Sequence, residues 1–190
     1  MKQYNRQWNY HFTPNSNFLW KLKKSLLLLI ISAFFVSCNC GKKDSSEDRK
    51  QIIAMLDSWN NAAAKADYQN YFNCFAEDAV FIGTDASEHW DKKSFMIWAK
   101  PHFDKRKTWD FKSIERHIYF NAKGDIAWFD ELLNTQMKIC RGSGVLIKQE
   151  NAWKIQQYVL SMCIPNQLTD TVVKLKTLLE DEVINKLTQK

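Results

Sequence analysis

GDIAWFDELLNTQMKICRGSGVLIKQENAWKIQQYVLSMCIP, running from Gly124 to Pro165, decides how this sequence folds. Polar and apolar residues alternate through it, many of them β-branched or aromatic. Turn-prone breaks fall near Asn134 to Lys138 and at Glu150-Asn151. A period of two interrupted in this way predicts three antiparallel strands. Asn121-Ala122-Lys123-Gly124 supplies the turn that joins them to an earlier strand expected over Trp109 to Phe120.

Working outward, Ile52, Leu56, Trp59 and Ala63 recur at helical spacing and predict a helix over Asp48 to Ala66. Asp67 is placed to cap a second helix, Tyr68 to Phe75. A short strand, Ala79 to Ile82, follows, and then a helix over Asp91 to Ala99 that Pro101 should stop. Beyond Pro165, Val172, Leu175, Leu178, Leu179 and Val183 return to helical spacing. Helices, a short strand, a helix and then four longer strands make an α+β pattern.

The chain has 190 residues, enough for one domain with an appendage. Hydrophobic residues make up 45%, with eight Trp, twelve Phe and five Gly, which excludes disordered and fibrous classes. The net charge of +6 is misleading, because residues 1–37 hold five basic residues and no acidic ones. Of 27 basic residues, 22 then face 21 acidic ones, so no basic footprint for nucleic acid remains.

Those first residues read as a secretory signal. Lys21, Lys23 and Lys24 precede an apolar run from Leu26 to Val36, too short to span a bilayer. Phe35-Val36-Ser37-Cys38 resembles the lipobox of bacterial lipoproteins, which implies that Cys38 carries a lipid anchor in the cell envelope. A plain signal peptide or a buried helix is the competing reading. The expected organisation is a signal over 1–37, a tether over 38–47, a domain over 48–165 and a C-terminal helix over 166–190. Cys74, Cys140 and Cys163 read as inert thiols, and their spacing offers no metal site.

Ile52 through Asp67 to Phe75-Ala76-Glu77-Asp78-Ala79-Val80-Phe81-Ile82-Gly83, then Gly124-Asp125-Ile126-Ala127-Trp128, then Trp153-Lys154-Ile155, resemble the SnoaL-like branch of the nuclear transport factor 2-like superfamily. The resemblance implies a cone-shaped fold in which a strongly curved antiparallel sheet wraps helices around a pocket, often in a homodimer. It spans isomerases, dehydratases, cyclases and non-catalytic domains, so it does not choose a function. Where ketosteroid isomerase-like members carry Tyr and two Asp residues, this sequence places Trp59, Gly83 and Gly144 or Val145. After the Trp-x-Ile signature it has Gln156, Gln157 and Tyr158 in place of a His or Asp. Neither familiar acid-base scheme is matched.

If opposite residues around the Lys123-Gly124 turn sum to 247, His117 faces Asp130 and Tyr119 faces Trp128 on one side of the sheet. Arg116-Glu131 and Ile118-Phe129 then share the other side. His117 held by Asp130 is the candidate acid-base pair, and Trp59, Tyr119, Trp128 and Gln157 are candidate ligand contacts. An ordinary cross-strand ion pair accounts for the same geometry. Around Glu150-Asn151 a sum of 301 places Leu146, Trp153, Ile155 and Gln157 on one face, with Tyr158 and Leu160 on the other. His89 and Trp90 are expected near the pocket mouth.

Two readings follow. One is a lipid-anchored module that binds a small apolar or amphipathic molecule or pairs as a homodimer, without cofactor or nucleic acid. The other is a small-molecule lyase or isomerase using His117 and Asp130.

Overall fold

A computed structural model describes residues 45–189. The expected signal, lipidated Cys38 and the expected tether up to residue 44 lie outside them, whereas residues 45–47, also expected in the tether, are helical. The first helix, α1 (Ser45–Ala64), buries Ile52, Leu56, Trp59 and Ala63, the stripe its spacing dictates. Its first turn is fixed by buried Asp48, which accepts a hydrogen bond from Trp153 Nε1 at 3.2 Å and pairs with Lys148. Helix α2 (Tyr68–Asn73) is capped by Asp67, whose carboxylate accepts from the Asn70 N–H at 3.1 Å.

Strand β1 (Phe75–Ile82) begins four residues earlier than expected, because Phe75 pairs alongside Ile155. After the short β2 (His89–Asp91), α3 (Lys92–Asp104) is capped by Asp91 on the Ser94 N–H at 2.7 Å. Pro101 does not stop this helix. It removes a single N–H near the C-terminal end, and the last turn is held by Phe103, buried against Tyr71 at 5.3 Å and Trp109 at 5.6 Å. Burying such a ring contributes about 1.5–3 kcal/mol.

Strands β3 (Lys112–Phe120), β4 (Ile126–Thr135), β5 (Lys138–Gln149) and β6 (Ala152–Met162) complete a six-stranded, strongly curled but unclosed sheet. Its order is β2-β1-β6-β5-β4-β3. Neighbours run antiparallel except β1 and β6, which are parallel, so the sheet is mixed. The β3-β4 register places His117 opposite Asp130 and Tyr119 opposite Trp128. Asn121 closes that hairpin, its Oδ1 accepting from the N–H groups of Gly124, Asp125 and Ile126 at 2.9, 3.1 and 3.2 Å.

The β5-β6 hairpin departs from a uniform register. Leu146 pairs with Ile155 but Val145 pairs with Gln157, so β6 carries one extra residue in a bulge. The extra residue reverses the faces beyond it. Tyr158 and Leu160 therefore join Trp153, Ile155 and Leu146 inside, and Gln157 does not share their side. Gly142 and Gly144 line up beneath: a Cβ on Gly142 would lie 2.2 Å from Tyr158 Oη, and one on Gly144 would lie 2.5 Å from the Gln157 carbonyl.

Helix α4 (Thr169–Thr188) follows a short 3-10 turn (Asn166–Leu168) and buries no residue; Leu178 is 82% exposed. Among the described residues Cys74, Cys140 and Cys163 are free thiols.

Candidate functional site

Aromatic residues from every helix above the sheet converge on one hollow. Helix α1 contributes Trp59, α2 contributes Tyr71, and α3 contributes Phe95 and Trp98. Trp90 of β2 and Trp109, ahead of β3, close the sides, and Tyr158 rises from the sheet. The cavity measures about 140 Å³ and is partly open, and the exposed members of its lining are Thr84, Trp98 and Gln136. That volume is close to the roughly 150 Å³ of an engineered apolar cavity that binds benzene.

The rings fall into two crossing sets. Phe95 lies within 16° of Trp90, 22° of Trp98 and 19° of Trp109. Trp59 and Tyr71 form the second set, stacked 5.4 Å apart and tilted 27°. Tyr71 crosses Trp109 at 76°, and Trp59 crosses Tyr158 at 76°. A corner of ring faces and edges results, the arrangement aromatic quadrupoles favour.

Polar groups stand behind these rings. Tyr71 is 1% exposed and Trp59 2%. Burial pushes the Tyr71 hydroxyl well above its ordinary value, opposed by the nearby indole N–H groups of Trp109 and Trp59. Neither indole completes a well-formed hydrogen bond to it, so Tyr71 Oη and Trp59 Nε1 are buried without partners. Tyr158 is likewise held protonated, first by burial and then by Glu131 beside it. Neither phenol can serve as a base near neutral pH.

At the mouth, Glu88 lies against Gly83, where an added Cβ would meet its Oε2 at 2.1 Å. The bare glycine lets the carboxylate approach, and the Asp85 N–H donates to it at 3.2 Å. Among the described residues that line the hollow, Glu88 is the single charged side chain.

From Tyr158 runs a polar chain that is buried at Glu131 and Arg116 and reaches solvent at Asp57. The Tyr158 hydroxyl donates to Glu131 Oε1 at 3.3 Å, Arg116 Nε donates to Glu131 Oε2 at 2.9 Å, and Arg116 Nη1 donates to Asp57 of α1 at 2.8 Å. Glu131 is 1% exposed. Burial raises its pKa, and Arg116 offsets part of the rise. The chain ties α1 to the sheet and orients Tyr158.

The candidate residues read from the sequence divide between the two faces. Trp59 lines the hollow. His117 and Asp130 do meet, Nδ1 to Oδ1 at 3.3 Å, but His117 is 50% exposed, and its Nε2 lies 3.2 Å from Glu115. Tyr119 and Trp128 stack 6.0 Å apart beside them, half-exposed. These four occupy the side of β3 and β4 opposite Ile118, Ala127, Phe129 and Leu133, which are buried. None of the four lines the hollow, and neither does Gln157, which the β6 bulge displaces. His89 is exposed, whereas Trp90 lines the hollow. Tyr71 and Glu88 escaped sequence reasoning; Arg116 faces Glu131 as the sequence register predicts, but nothing in the sequence marked that pair as part of the site. The one available signal was that Arg116 and Glu131 share a face with Ile118 and Phe129.

Comparison with known proteins accounts for the architecture. The SnoaL-like domain profile matches residues 52–165. The chain belongs to the SnoaL-like domain family. Among solved structures, this SnoaL-like domain resembles a domain of unknown function with a cystatin-like fold from Nostoc punctiforme, at 13% identity and TM-score 0.57, over 76% of this chain and 99% of that one. It also resembles an uncharacterised cystatin-like protein from Caulobacter vibrioides, at 11% identity and TM-score 0.56, over 69% and 99%. An NTF2-like protein of unknown function from Pseudomonas putida matches at 14% identity and TM-score 0.53, over 64% and 91%. At these identities the likeness concerns the fold alone. A search of curated proteins finds no match.

Proposed function

We propose that this SnoaL-like domain is a binding module for a small, largely apolar or amphipathic molecule that enters the aromatic hollow from the Thr84 and Trp98 side. The observation that carries the reading is a hollow of about 140 Å³ walled by four tryptophans, open to solvent, and lacking any histidine, thiol or arginine among its lining residues. Pockets of this kind bind through apolar contact with a few placed polar groups. The His117-Asp130 pair faces away from the hollow, which leaves Glu88 as the one carboxylate among the described residues of its lining. The proposal includes tethering to the cell envelope through Cys38 and pairing of two copies across the sheet face that bears Tyr119 and Trp128.

Native mass spectrometry of the full-length chain in lipid nanodiscs tests this reading. A copurifying small molecule, displaced when Trp98→Ala and Trp59→Phe are combined, is the expected outcome. A chain that takes up no apolar probe, benzene and indole included, overturns it. Substitution Cys38→Ala is expected to release the protein from the membrane fraction.

A further inference from the structure

We propose that the hollow recognises an organic cation, the head of a small amine or quaternary ammonium compound, seated in the aromatic corner with Glu88 as its counter-ion; this rests on the hollow being a ligand site.

Charge is the first argument. The walls combine Trp59, Trp90, Trp98 and Trp109 with one carboxylate, and no Lys, Arg or His lines the space. An anionic ligand would meet the negative faces of the rings and Glu88 together, with no cation to receive it. A cation is attracted by both. A neutral ligand gains from neither.

Orientation is the second. The Phe95 set of near-parallel rings and the Trp59-Tyr71 stack cross at 76° through the Tyr71-Trp109 contact. Trp98 stacks on Trp90 at 4.9 Å near the opening. A corner of this kind surrounds a compact head with aromatic surface on more than one side, whereas parallel rings alone would accept a flat, neutral ring between them.

The third argument is what the ligand does not meet. Trp59 Nε1 and Tyr71 Oη have essentially no accessible surface. Seen from inside, those two residues offer ring carbon, so a carbonyl or phosphate seated against them would leave its acceptor oxygens unpaired, the donors of Thr84 and Gln136 being on exposed residues of the lining. An alkylated ammonium needs no acceptor partner. A trimethylammonium head is also on the benzene scale that a cavity of about this size admits.

Glu88 has a second determinant. Its carboxylate is held at the mouth by the Asp85 N–H at 3.2 Å and by the space above Gly83. It is half-buried, so it pairs with a ligand cation at the rim without the cost of a fully buried ion.

The test titrates the full-length chain in nanodiscs with choline and with its neutral isostere 3,3-dimethylbutan-1-ol, followed by tryptophan fluorescence and, for both probes, by ligand-observed NMR. Choline is expected to bind at least about tenfold more tightly than the alcohol, as ring-face attraction to a desolvated cation allows. Glu88→Gln is expected to weaken choline several-fold and leave the alcohol unchanged; retained alcohol binding shows that the variant is folded. Equal affinity for the two probes overturns the cation proposal and leaves the pocket reading standing. Binding of neither probe overturns the cation proposal, and uptake of benzene or indole by the same sample then decides the pocket reading separately.

Discussion

Asp130 and Glu131 are adjacent in β4 and carry the same carboxylate, yet the strand sends them to opposite environments. Asp130 lies on the outer face within 3.3 Å of a half-exposed histidine and 3.7 Å of Arg141, wetted by solvent. Glu131 is sealed inside, bonded to Arg116 and Tyr158. The same split separates Trp128 from Trp59. Residue type is therefore a poor guide to role in this fold, and the face of the sheet on which a residue falls is a good one.

The largest effect that tests this contrast is loss of an inner tryptophan. Trp59 touches Tyr71, Phe75 and Tyr158 with ring centroids 5.4, 5.6 and 4.7 Å away, so Trp59→Ala is expected to cost about 3–5 kcal/mol in urea unfolding. Trp128→Ala, which loses a half-exposed stack on Tyr119, is expected to cost about 1 kcal/mol. Comparable losses from both would break the distinction between the faces.

Next comes the pair of carboxylates. Glu131→Gln removes the charge that compensates buried Arg116 and is expected to cost about 3 kcal/mol. Asp130→Asn, among half-exposed partners, is expected to stay within about 1 kcal/mol. Denaturant midpoints of the two variants, measured side by side, decide the matter.

How far the sequence could lead is visible in the same strands. The β3-β4 register was legible from Glu115 to Phe120 because one turn fixes those partners, up to an irregularity between Ser113 and Glu115, and the alternation of Ile118 with His117 and Tyr119 is plain. The choice of inner face was not, because β4 reads almost equally apolar on both sides: Ile126, Trp128 and Leu132 against Ala127, Phe129 and Leu133. Arg116 and Glu131 pair in the expected register, but the bond from Arg116 to Asp57 of α1, 59 residues away, joins two elements that no local pattern connects. The bulge in β6 falls at Gln156-Gln157, two polar residues that fit either register, so Tyr158 could not be assigned inward by pattern. The convergence of Trp98 and Trp109 on one hollow joins α3 to the segment ahead of β3, where Phe103 packs on Trp109 at 5.6 Å, a tertiary contact that no local pattern displays.

Burial also sets reactivity. Cys74 sits where α2 meets the β1-β6 seam, its carbonyl accepting from the Ile155 N–H at 2.8 Å. Burial pushes its thiol up to about 11, opposed by the charge of Lys154. The fold thus favours the protonated form: this contribution to stability is whole below the unfolded value near 9 and is lost as pH rises through about 11. Iodoacetamide labelling, followed by mass spectrometry, is expected to show a rate at pH 8 about a hundredfold below that of an exposed thiol, since the thiolate is the nucleophile. A labelling midpoint near 9 would place Cys74 with the outer face.

The smallest effect belongs to His117. With half its surface exposed and two carboxylates at 3.2 and 3.3 Å, it is a member of an outer ion cluster whose charges water already solvates. His117→Ala is expected to change stability, read from the denaturant midpoint, by less than about 1 kcal/mol, because exposed ion pairs contribute little. The variant is expected to take up apolar probes and choline as the unaltered chain does, because no atom of His117 borders the hollow. Should His117→Ala abolish turnover of a small molecule that the unaltered chain consumes, the reactive surface would be the outer one. Trp59 and its neighbours would then be core, and the two faces of β4 would have exchanged the roles assigned to them by burial.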